Sequence, residues 1–357
     1  MRKIYDMSHF HTLTIKNIER VTSKSVTITF EVPQDLKEAY KFKAGQYITI
    51  KANINGTEIR RDYSLCSSPK SGVLKVAVKE VKGGTFSAFV NKQLKVGDQL
   101  EVAPPRGHFI FEPNDSKTKH IAAFAAGSGI TPILSIVKCA LEEEVLSNVV
   151  LVYGNKTTDD TMFLSELLEL QRQYSDRLAI QFVFSQAQED DSIFGRIEKS
   201  TVNLILKHKH KDLSMDAFYL CGPEAMIHTV KDVLAEHDIP KDRVFFELFK
   251  AAKPTERDTV TLPDGQTKIS IVLDDDTTTF EMSQKQTILE AALDNDLDAP
   301  YSCQGGICSS CLARVIEGEA KMRQNNILTD GEVAEGLILT CQAHPLTPHI
   351  KIDYDDI

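Results

Sequence analysis

The chain has 357 residues, 42% of them hydrophobic and 26% charged, with a formal net charge of -10 at pH 7. That length is too great for one ordinary core and suits two or three domains. The acidic balance argues against nucleic acid, which would want the opposite sign, and no window of eighteen apolar residues offers a membrane span.

Residues 1–10 are polar and lack the apolar stretch of a secretory signal. The expected location is therefore the cytoplasm, with the seven cysteines as thiols and metal ligands and not as disulfides. The charge is unevenly spread. Residues 265–357 carry sixteen Asp and Glu against six Lys and Arg, while the preceding 264 residues carry thirty-five of each. This excess reads either as a solvated acidic face or as electrostatic guidance of a basic redox partner.

The first segment, residues 1–112, has short strand-like runs at Leu13–Ile18, Ser25–Val32, Gln46–Lys51, Thr57–Arg60, Leu74–Val81 and Gln99–Ala103. Gly, Pro, Asn or Asp separates them, the pattern of an antiparallel β-barrel or sandwich. Arg61-Asp62-Tyr63-Ser64 extends one run, and strand alternation lets Arg61 and Tyr63 share a face. Gly83-Gly84-Thr85-Phe86-Ser87 opens a short helix over Phe86–Asn91. Free amides there suit an anion, although Thr85 and Ser87 could equally satisfy the turn locally.

R-x-Y-S, G-G-x-F-S and then P-x-G-x-F at Pro105–Phe109 resemble the flavin-binding barrel of the ferredoxin–NADP reductase family. The resemblance implies Arg61 on the flavin phosphates, Tyr63 against the isoalloxazine ring and Ser64 near its N5. It further implies Gly84, Thr85 and Ser87 at a diphosphate, which favours FAD over FMN. Cys66 is assigned no chemistry and reads as a small buried residue.

In residues 113–250 strands alternate with helices, the pattern of an α/β domain with an open parallel sheet. The strands are expected at His120–Ala126, Val149–Tyr153, Leu178–Ser185, Ala217–Leu220 and Val244–Phe249. The helices are expected at Ile133–Glu144, Thr161–Gln173, Glu198–His208 and Met226–Glu236. Gly127-Ser128-Gly129-Ile130-Thr131-Pro132 joins the first strand to its helix, a place where amides meet a phosphate. Because it reads G-x-G-x-x-P, it is not the usual dinucleotide fingerprint. Gly127, Gly129 and Thr131 are the expected pyridine-nucleotide contacts.

Cys221-Gly222-Pro223-Glu224 ends a strand, where a cysteine would ordinarily be inert packing. C-G-P-x-x-M nevertheless resembles the nicotinamide-side motif of the same family. The likeness implies Cys221 beside the reacting carbon, Gly222 and Pro223 shaping the turn, Glu247 orienting the hydride site, and Phe249 or its neighbour near the flavin. Ser185, with Arg196 or Lys156, is a candidate for a 2'-phosphate; NADPH is the expected donor and NADH the alternative.

Residues 251–265, with Pro254, Pro263 and Gly265, read as a linker. Beyond it, a hairpin of Thr267–Leu273 and Thr279–Met282, a helix over Ile288–Asn295, and strands at Leu312–Glu317 and Leu337–Leu339 are expected. Cys303, Cys308 and Cys311 are spaced C-x4-C-x2-C, and Cys341 follows after twenty-nine further residues. This is the plant-type [2Fe–2S] pattern; four-thiolate zinc sites, the competing reading, come as two short C-x2-4-C pairs. The segment 266–357 resembles the β-grasp fold of plant-type ferredoxins.

The three segments read as an NAD(P)H-dependent electron relay: a hydride donor, a flavin able to take two electrons and pass them singly, and a one-electron cluster. Across nearly the whole chain the likeness extends to the reductase family of phenylacetyl-CoA epoxidase complexes, in R-x-Y-S, G-G-x-F-S, G-S-G-I-T-P, Y-G-N-[RK]-T and C-G-P-E-x-M. It implies a separate di-iron oxygenase subunit as acceptor. The alternatives are a reductase for a Rieske oxygenase or hybrid-cluster protein, or a non-catalytic iron–sulfur carrier.

Overall fold

The computed structural model describes residues 10–114, 118–249 and 264–357; the expected linker lies mostly outside the described residues. The chain divides into two compact units, one of residues 10–247 and one beginning at Leu248.

The first unit opens with β1 (His11–Thr22), β2 (Ser25–Glu31), β3 (Tyr47–Ile54), β4 (Thr57–Ser64), β5 (Leu74–Lys79), α1 (Thr85–Lys92) and β6 (Gln99–Val102). The strands form one antiparallel sheet in the order β4-β3-β6-β1-β2-β5. A bridge between Leu65 and Val76 brings its two edges together, so the sheet closes as the expected barrel. Leu13, Ile15, Ile28, Ile48, Ile50 and Val76 fill the interior at alternate positions.

There follow β7 (His120–Ala126), α2 (Ile130–Glu143), β8 (Asn148–Asn155), α3 (Leu164–Gln173), β9 (Leu178–Phe184), β10 (Ile193–Phe194), α4 (Lys199–Leu204), β11 (Ala217–Cys221), α5 (Glu224–Glu236) and β12 (Val244–Glu247). All six strands are parallel, in the order β10-β9-β8-β7-β11-β12. β7 and β8 are buried through their length and read as apolar runs, as sheets covered on both faces require. Pro132 sits in the first turn of α2, where its missing amide costs no helical bond. Barrel and sheet share a core: Ala44, Cys66, Phe109 and Phe111 pack with Ile121, Ile133 and Tyr219. The two segments divided at residue 112 therefore form one unit. The final strand stops at Glu247, two residues short of expectation, and the expected helix over 198–208 continues past α4 as a wider turn over Ile205–Lys209.

The second unit contains β13 (Gln266–Leu273), β14 (Asp276–Ser283), α6 (Ile288–Asp294), β15 (Leu312–Glu317), β16 (Ala320–Met322), α7 (Asp330–Ala334), β17 (Leu337–Leu339), β18 (Ala343–Pro345) and β19 (His349–Asp353). Its main sheet runs β14-β13-β19-β15-β17, with β13 and β19 parallel and the other pairs antiparallel. α6 starts on a capping box, Glu290 N donating to Thr287 Oγ1 and Thr287 N to the Glu290 carboxylate. Ile269, Ile271, Ile288, Leu289, Leu312 and Ile352 form the core between helix and sheet.

Candidate functional site

In the first unit, β7 and β11 are neighbours, but the sheet grows away from them in opposite directions. Their carboxyl ends therefore border the crevice where ligands of open parallel sheets bind. β7 leads through Gly127-Ser128-Gly129 into α2. Gly127 has φ +55°, and a Cβ on Gly129 would stand 2.1 Å from Cys221 O and 2.8 Å from Gly222 N. Only glycine permits that approach of the two loops. Thr131 Oγ1 donates to Ser128 O at 3.0 Å and Tyr153 Oη to Gly127 O at 3.0 Å, so the protein holds the turn's carbonyls from behind. Pro223 precedes the first turn of α5, completing the opposite wall.

Cys221 ends β11, in register with Ala125 of β7 and Glu247 of β12. It is fully buried; burial first, and the Glu247 charge second, push its thiol well above the ordinary value. Glu247 accepts a hydrogen bond from Ser64 Oγ at 3.0 Å, which joins the barrel's R-x-Y-S strand to the end of the parallel sheet. Part of the Glu247 surface stays open, yet the carboxyl is deep enough for burial to push it up to about 8; the Ser64 hydroxyl lowers it and the Asp62 charge raises it. Ser64, Cys221 and Glu247, far apart in sequence, are thus brought together.

On β4, Arg61 and Tyr63 pair with Ile50 and Ile48 of β3 and share a face. Arg61 is exposed, with Nη1 donating to Arg60 O at 2.6 Å, and Tyr63 stacks on Phe86 of α1 with centroids 5.7 Å apart. Gly84 precedes α1, and Thr85 is its exposed first residue. Ser87 Oγ accepts from Val81 N at 3.1 Å, so this hydroxyl serves the turn locally. An exposed cation, an aromatic face and a helix start suit a phosphate-bearing flat cofactor.

Ser185 N donates to Asn155 O at 3.0 Å at the end of β9, while Arg196 and Lys156 are exposed. Phe249 falls in the second unit and is exposed. Sequence reasoning missed Lys79, whose Nζ lies 4.0 Å from where a Gly127 Cβ would be. Burial lowers its pKa, Asp160 raises it, and Lys156 and Lys24 lower it. A lysine closing a barrel strand gives no sequence sign of standing at a turn 48 residues later.

In the second unit Cys303, Cys308, Cys311 and Cys341 converge. Cys308 Sγ lies 3.0 Å from Cys303 Sγ, and Cys341 contacts both Cys303 and Cys311. The contacts run on from Cys308 to Cys303, Cys341 and Cys311, so the four sulfurs lie together. Thiol donation from Cys308, then Cys341, and from the amides of Gly305 and Ile307, holds Cys303 far below the ordinary thiol range. Gly306 has φ +68°, and its missing Cβ would stand 3.0 Å from Gln324 O and 3.1 Å from Gln342 Cγ. The cradle and its four-thiolate donor set fit a [2Fe–2S] cluster.

Models of the oxidoreductase FAD-binding domain, the oxidoreductase NAD-binding domain and the 2Fe-2S iron-sulfur cluster binding domain match residues 12–111, 124–232 and 271–346. The chain belongs to the ferredoxin–NADP reductase family, in the form fused to a C-terminal plant-type ferredoxin domain, and is an NAD(P)H-dependent electron-transfer oxidoreductase using FAD and a [2Fe–2S] cluster. It is 37% identical to one of the subunits of 1,2-phenylacetyl-CoA epoxidase of Escherichia coli, over 98% of this chain and 99% of that one. It is 32% identical to the ferredoxin reductase component of 3-ketosteroid-9-alpha-monooxygenase of Rhodococcus rhodochrous, over 96% of each. Among solved structures, phthalate dioxygenase reductase covers 96% of this chain and 98% of its own, with 26% identity and a TM-score of 0.59. These relatives are components of oxygenase systems, the reductases among them serving an oxygenase, and an oxygenase component is the corresponding acceptor. Among the described residues no helix is long and apolar enough to cross a membrane.

Proposed function

We propose that this reductase takes a hydride from NADPH and delivers electrons singly to a separate di-iron oxygenase subunit that epoxidises phenylacetyl-CoA. The whole-length 37% identity to a subunit of the phenylacetyl-CoA epoxidase carries the reading of the partner. A bound flavin would supply the conversion from a two-electron donor to single electrons, and a bound cluster one-electron transfer; the chain's own residues supply placement.

The Gly127–Gly129 turn binds the nucleotide diphosphate, Lys79 facing it as a cation and Thr131 steadying the turn. Ser185, Arg196 and Lys156 are assigned to the 2'-phosphate. Arg61, Tyr63, Gly84, Thr85 and Ser87 hold FAD, Arg61 on its phosphates and Tyr63 on its ring. Cys221, Gly222 and Pro223 shape the nicotinamide pocket, and the fully buried Cys221 thiol excludes water there. Glu247 fixes the Ser64 hydroxyl at the flavin edge through their 3.0 Å bond. Cys303, Cys308, Cys311 and Cys341 are assigned to the cluster.

The 32% identity to a ketosteroid monooxygenase reductase favours a second reading, another monooxygenase as acceptor. Reconstitution decides between them. With NADPH and the di-iron subunits, product should form from phenylacetyl-CoA; normal flavin and cluster reduction without product would return the acceptor to the second reading.

A further inference from the structure

One side chain beside the cysteine loop is held more firmly than its polarity requires. Gln342 follows Cys341, and its main chain is pinned on both sides: its N donates to Leu339 O at 2.9 Å, and its O accepts from Arg323 N at 2.9 Å. The side chain lies across the loop. Its Nε2 donates to Gln304 O at 3.0 Å and stands 3.8 Å from Cys341 Sγ, within reach of an N–H···S bond. Two features of the loop make room for it. Gly306 lacks the Cβ that would meet Gln342 Cγ at 3.1 Å, and Gln304 takes φ +51°, a left-handed value that is unusual outside glycine and that presents its carbonyl to the amide. The loop is further tied by Asn326 N donating to Gly306 O at 3.1 Å.

A donor facing a thiolate that ligates a cluster stabilises the negative charge on that sulfur. Reduction adds an electron to the cluster, so the same donor favours the reduced form and raises the potential. We propose that Gln342 is a positioning residue that braces Gln304 and sets the reduction potential of the cluster through its amide hydrogen bond to Cys341. This rests on the reading that Cys303, Cys308, Cys311 and Cys341 hold a [2Fe–2S] cluster, a reading that iron and sulfide content tests separately.

The test uses the full chain with Gln342→Leu, which keeps length but removes the donor, and Gln342→Glu, which keeps shape and adds a negative charge. Where iron and sulfide match the wild type, redox titration followed by electron paramagnetic resonance should rank the potentials wild type, Leu, Glu. The Leu variant should fall by at least about threefold in the oxidised-to-reduced equilibrium, about 28 mV at about 59 mV per tenfold for one electron. A packing role would alter cluster retention but not the potential of the clusters retained. If a variant does not load, the wild type labelled with 15N in the glutamine amides replaces it, and a hyperfine coupling from Nε2 to the reduced cluster is expected. Fully loaded variants with unchanged potential, or no such coupling in the labelled protein, overturn the proposal. Absence of iron and sulfide from the wild type would instead overturn the cluster reading itself.

Discussion

Glu247 has its carboxyl raised to about 8, first by burial, against the pull of the Ser64 hydroxyl. The folded protein holds this proton more tightly than the unfolded chain. The stability contributed is complete below the ordinary carboxyl value and is lost as pH rises through about 8. Glu247→Gln should flatten that slope, so urea denaturation at about pH 5.5 and about pH 8.5 should differ less for the variant than for the wild type. A parallel loss of stability at both values would remove Glu247 as the source. Glu247→Ala, by contrast, removes the acceptor of the Ser64 bond, and losing such a hydrogen bond costs about 0.5–1.5 kcal/mol, or about 2–10-fold in a rate. Stopped-flow reduction of the flavin by NADPH should slow within that range. Cys221→Ser should also slow flavin reduction while leaving the iron and sulfide of the second unit unchanged, since Cys221 belongs to the first unit. Loss of cluster in that variant would contradict the assignment.

At the scale of elements, Arg61 and Tyr63 occupy one face of β4 near the start of α1. Arg61→Ala should release flavin during gel filtration while circular dichroism stays unchanged, and retention of full flavin would remove Arg61 from the phosphate site. Both residues were legible because strand alternation ties side-chain direction to sequence spacing. The β7–turn–α2 unit was legible too: its apolar run, two glycines and Pro132 all point to one geometry. Other elements carried no such agreement. β10 has two residues and β16 and β18 three each, too short for any period to show. In the hairpin of the second unit, Asp274 and Asp275 adopt φ values of +55° and +65°, and β14 already begins at Asp276, ahead of the expected Thr279. The Ser64–Glu247 bond spans 183 residues and Lys79 meets the Gly127 turn from another sheet. Contacts of that kind follow from topology, which local pattern does not encode.

On the scale of the whole molecule, the excess of Asp and Glu lies in residues 265–357, and Asp274, Asp275, Asp276, Asp294, Asp296 and Asp298 are exposed there. The first unit converts a hydride and the second carries single electrons outward, so output and input should be separable. Cys308→Ser should abolish cluster-mediated delivery to the oxygenase while flavin reduction by NADPH continues at close to the wild-type rate. Stopped-flow spectra follow flavin bleaching, and a coupled assay follows product. A Cys308 variant that lacks the cluster yet forms product normally would sink the relay. If the acidic surface guides the acceptor, association should slow as salt rises, because exposed charges are screened over about 10 Å at 0.1 M ionic strength. Reversing three exposed aspartates, Asp274, Asp276 and Asp296, to lysine should slow association most at low salt and converge with the wild type at high salt, since screening removes the difference. An association rate indifferent to salt in both proteins would leave the cluster assignment standing and reduce the acidic face to a solvated surface.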